Sequence, residues 1–74
     1  MEIRREHWER RLRAHESAER AHHQAAARHE EIASQYERMG RPDKAAMERE
    51  HAQEEHERAL AERAAIDALE AERP

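Results

Sequence analysis

Read at a spacing of seven, the first half of the chain carries Trp8, His15, His22, His29 and Tyr36 at one position. A companion position holds Arg11, Ala18, Ala25, Ile32 and Met39. The second half repeats Ala45, Ala52, Ala59 and Ile66, with Arg49, His56 and Arg63 as companions. A 3.5-residue period sustained in this way is the signature of a left-handed coiled-coil seam. Between the halves, Met39-Gly40-Arg41-Pro42-Asp43 contains the only glycine. Gly40 suits the left-handed position that follows a helix, and Pro42 suits the first turn of the next one. Asp43 places a negative charge where a helix N-terminus favours it. The pattern therefore predicts an all-α chain with one domain over 1–74. Its first helix covers about residues 3–39, its turn 40–41 and its second helix about 42–72, roughly 55 and 45 Å long. So short a connection makes the helices antiparallel neighbours, a two-helix hairpin of coiled-coil type.

The turn sets an expected register in which Tyr36 meets Ala45, Ile32 meets Arg49 and His29 meets Ala52. Further along, Ala25 meets His56, His22 meets Ala59, Ala18 meets Arg63 and His15 meets Ile66. Most layers pair a bulky group with an alanine, which lets two helices approach closely. In this the chain resembles the alanine-seamed antiparallel packing of some helical hairpins. Larger hydrophobes gather at the open end, where Ile3, Trp8 and Leu12 are expected near Leu60, Ile66 and Leu69. A seam this thin leaves most side chains wet. It predicts that a second hairpin packs on the first, giving a homodimeric four-helix bundle with those six residues as the interface. A plainer alternative has Trp8 closing its own hairpin's end.

Composition narrows the class further. Charged residues make up 43% of the 74 positions, hydrophobic ones 36%, with one Trp, one Tyr and no Phe. This cannot fill a thick globular core and fits long helix or coiled coil. The scarcity of Gly and Pro argues against reading the charge as disorder. Without cysteine, neither a disulfide nor a thiolate metal site can staple so small a domain. A formal net charge of −4 supplies no bulk drive toward nucleic acid or an anionic membrane. No stretch is apolar enough for a signal peptide or membrane span, so a cytoplasmic location is the default expectation. Glu6–Arg10, Glu9–Arg13, Glu16–Arg20 and Glu54–Arg58 have the four-residue spacing of solvated surface pairs.

Seven histidines are the conspicuous excess. His15, His22, His29 and His56 fall on the expected seam, whereas His7, His23 and His51 point elsewhere. The structural reading makes the seam imidazoles half-buried and hydrogen-bonded to water or to Glu across the helix pair. A metal reading needs ligands three or four residues apart or from another helix, because a seven-residue step spans roughly 10 Å. Glu19-x-x-His22 and Glu48-x-x-His51 both have workable spacing. With Glu62 facing Glu19, a two-fold dimer gathers two Glu19, His22 and Glu62 sets, the ligand inventory of di-iron and di-manganese carboxylate bundles. Fe, Mn or Zn is the metal this reading expects; the structural reading expects no cofactor. A third reading is proton sensing: burial opposite alanine disfavours the charged imidazole, so stability falls as pH drops below about 6.5.

Other chemistry has no foothold. Ser17 and Ser34 lack a Gly-flanked elbow, and the single glycine rules out a phosphate-cradling loop. Carboxylates on long exposed helices have no pocket to tune them, so an enzyme is not expected. Around the turn, Ile32, Ala33, Tyr36, Ala45 and Ala52 resemble the helix-packing positions of one tetratricopeptide repeat, over about 34 residues. That resemblance implies a helical hairpin, although the long first helix departs from the pattern and such repeats need neighbours. By architecture the chain also resembles small hairpins that dimerise into four-helix bundles, one of which binds RNA. Here the basic residues interleave with Glu, so nucleic acid is only a lesser alternative. The expected function is a protein-interaction module of adaptor, antitoxin or inhibitor type, binding itself and another protein. The main alternative is the metal-binding bundle.

Overall fold

The computed structural model describes residues 2–74. Helix α1 runs Glu2–Arg38 and helix α2 runs Pro42–Ala71, folding back as an antiparallel hairpin 59 × 14 × 10 Å in extent. Both boundaries fall within one residue of those expected from the punctuation.

The turn is built as its residues dictate. Gly40 adopts φ +73°, the left-handed conformation that a Cβ disfavours. The Arg41 N–H donates to the Tyr36 carbonyl at 2.8 Å and the Gly40 N–H to Glu37 at 3.0 Å. This crossed pair is the Schellman arrangement, which satisfies carbonyls that the end of α1 leaves open. Pro42 then opens α2, where its missing N–H costs nothing.

Between the helices the core is thin and made mostly of alanine. Ala26 and Ala33 of α1 are buried, as are Ala45, Ala52, Ala59, Ile66 and Leu69 of α2. The α2 stripe at 45, 52, 59 and 66 is the one its periodicity predicts. The companion stripes differ. On α1 the second buried column contains Ala26 and Ala33, continued by half-buried Leu12 and Glu19, and not Arg11, Ala18, Ala25, Ile32 and Met39. On α2 it is Glu48, Glu55, Glu62 and Leu69, one residue ahead of Arg49, His56 and Arg63. One residue is about 100° of helix rotation, enough to move a side chain from the seam to its edge. Ala18, Ala25 and Ile32 accordingly form a half-buried border, and Met39 is exposed.

Candidate functional site

The histidine column of α1 meets the glutamate column of α2. The Nδ1 atoms of His15, His22 and His29 each lie 2.6 Å from Oε2 of Glu62, Glu55 and Glu48 respectively. An ionised carboxylate only accepts, so each Nδ1 carries the proton and donates. In the neutral imidazole Nε2 is then the nitrogen that keeps a lone pair. Each histidine's partner sits one helical turn before the Ile66, Ala59 or Ala52 expected opposite it. Trp8 extends the same column: its Nε1–H donates to the Leu69 carbonyl at 2.7 Å. Along the seam, hydrogen-bonded rungs therefore run beside a column of small apolar residues. Each His and Glu of a rung is only partly exposed, and no buried polar side-chain atom among the described residues lacks a partner.

One edge of the seam is charged. Arg63 grips Glu19 with two bonds, Nε at 3.0 Å and Nη2 at 2.6 Å. Arg49 meets Glu37 at 2.7 Å and His56 meets Glu30 at 3.3 Å. The Arg63 bond holds the Glu19 carboxyl below its ordinary range, against a smaller opposing effect of burial, and Glu19 raises Arg63 in return. Glu55 is also lowered, first by its bond from His22 and with help from Arg58 at 2.8 Å. Arg58 thus turns to Glu55, three residues back, rather than to Glu54.

The residues expected at a bundle metal site go separate ways within the hairpin. Glu19 binds Arg63, His22 binds Glu55 and Glu62 binds His15. Among the described residues no three His, Asp or Glu side chains converge on one point. The six expected interface residues divide as well. Ile66 and Leu69 are buried inside the hairpin, Leu12 and Trp8 are half-buried, and Ile3 and Leu60 are exposed. Trp8 closes its own hairpin's end, with the Arg73 guanidinium 5.2 Å from its ring centroid. Beside it a shallow cleft of about 590 Å³ opens between Ile3, His7, Arg11 and Glu72.

His15, His22 and His29 are half-buried and bonded to Glu across the pair, as the structural reading expects, but the column that supplies those glutamates is not one of the expected seam columns. Its signal is present in the sequence: Glu48, Glu55 and Glu62 recur at seven, in step with His29, His22 and His15 running the opposite way. A carboxylate column does not register as a seam when hydrophobicity alone is scored.

The fold and site define a class: an antiparallel helical hairpin zipped by His–Glu hydrogen bonds. No family model matches the chain, and no curated protein or solved structure matches it. Among the described residues no helix is long and apolar enough to cross a membrane.

Proposed function

We propose that the chain is a small protein-interaction module of adaptor, antitoxin or inhibitor type, working as a homodimer of hairpins that also engages a second protein. The observation that carries this reading is the apolar surface left outside the hairpin's own seam. Ile3, Leu60, Met39 and Met47 are 80, 70, 68 and 59% exposed. Ala18, Ala25 and Ile32 are only half covered along the edge of the seam opposite the Arg63–Glu19 pair. Two helices joined by alanine layers bury little apolar area, and a second hairpin laid on that edge adds what the first lacks. The charged edge, where Arg49 and Arg63 are already paired with Glu, fits solvent better than nucleic acid.

Light-scattering mass across a concentration series tests the shared premise. A dimer at micromolar concentration is expected, and Ile32→Glu should shift it toward monomer while helicity is retained. A well-folded monomer throughout that range would count against the reading.

A further inference from the structure

We propose that His29 and His51 form a binding site for one divalent transition-metal ion of the Zn²⁺ class, with Glu48 orienting His29. The site lies near the turn, away from the open end, and uses none of the residues of the expected bundle site.

The two rings come from different helices, yet their centroids are 5.3 Å apart. With Zn–N near 2.1 Å and tetrahedral angles, two imidazoles on one ion have centroids roughly 5 Å apart. Glu48 accepts the Nδ1–H of His29 at 2.6 Å, which leaves Nε2 of His29 as the ligating atom. Glu54 Oε2 stands 3.7 Å from Nδ1 of His51, a nearby negative charge without a hydrogen bond. The carboxylate behind His29 fixes its tautomer and raises its basicity, as the outer shell of a metal-bound histidine does. The Glu48-x-x-His51 spacing, three residues on one helix, puts carboxylate and second ring on neighbouring turns.

A hollow of about 170 Å³, lined by Tyr36, Lys44, Met47, Glu48 and His51, opens on the far side of the His51 ring's own helix turn and leaves that ring reachable from solvent. Because no trio of ligands converges, the protein supplies two nitrogens and water completes the coordination. Lys44, the nearby cation, sits with its ammonium 5.7 Å from the Tyr36 ring centroid. The other histidine pair is less suited. His23 and His56 have centroids 6.3 Å apart, and Nε2 of His56 is already 3.3 Å from Glu30.

Calorimetric titration of the full chain with ZnCl₂ at neutral pH, followed by imidazole NMR, tests the site. One ion per chain is expected, with the His29 and His51 resonances moving together. His51→Ala removes an exposed ring and should weaken binding by at least ~10-fold, and Glu48→Gln by about 10-fold through loss of orientation. His23→Ala should change nothing. Should His29→Ala unfold the hairpin, as circular dichroism would reveal, His51→Ala and the NMR shifts still decide. Unchanged affinity in His51→Ala, no binding at all, or one ion per two chains would each overturn a site held within one hairpin. The last outcome also separates this proposal from the dimer reading, since an intramolecular site binds equally well in a monomer.

Discussion

The Nδ1 of His22 donates to Glu55 across the hairpin at 2.6 Å, and Arg58 donates to the same carboxylate at 2.8 Å from one turn further along α2. The rung and its flanking arginine make Glu55 the meeting point of an interhelical and an intrahelical bond. Like rungs at His15 and His29 repeat the contact at seven-residue intervals. A hairpin with an alanine core thus obtains its alignment from directional hydrogen bonds, which specify register more sharply than alanine against alanine.

The rungs should be coupled but replaceable. A double-mutant cycle with His15→Ala and Glu62→Ala is expected to give roughly 1 kcal/mol of coupling, since the pair is only partly shielded from water. Replacing both by Leu should raise the melting temperature, because burying two apolar groups avoids desolvating an ionisable pair. Thermal melts by circular dichroism read both, and a Leu pair that destabilises the hairpin would show that rung geometry outweighs burial.

Acid should loosen the fold through Glu19 and Glu55. Both carboxyls lie below the ordinary value of 4.5 in the folded chain. A depressed folded pKa contributes stability above the unfolded value and loses it as pH falls through the folded one. The melting temperature should therefore drop below about pH 4.5, and less steeply in Glu19→Gln and Glu55→Gln. Equal acid slopes in all three proteins would contradict this assignment.

Enlarging the alanine column should pry the helices apart. Ala52 is buried where α1 and α2 approach, so Ala52→Leu is expected to cost about 1–3 kcal/mol by overpacking. Ala21→Leu, on the exposed face of α1, should stay within about 0.5 kcal/mol of the parent. Chemical denaturation distinguishes them.

At the turn, Gly40→Ala isolates backbone conformation from packing. A Cβ there meets nothing within 4 Å, but φ is +73°. The expected loss is about 1 kcal/mol, or roughly 4–8 °C in a domain of this size. A smaller fall would mean that the turn relaxes to negative φ.

By itself the sequence determined the elements: two amphipathic repeats, one glycine-proline break, and hence an all-α hairpin whose α2 seam includes Ala45, Ala52, Ala59 and Ile66. Such features are local, because a helix end or a heptad column is specified by residues within a few turns. Which neighbouring column completes the seam is not local. Glu48 and Arg49 are both polar and adjacent, so hydropathy cannot rank them, and their roles depend on what the opposite helix presents. Only the tertiary structure decided that His29 meets Glu48 while Arg49 reaches Glu37 at the edge, because a carboxylate enters a seam once an imidazole N–H is there to satisfy it. The same pairing sent Glu19, His22 and Glu62 to three different partners.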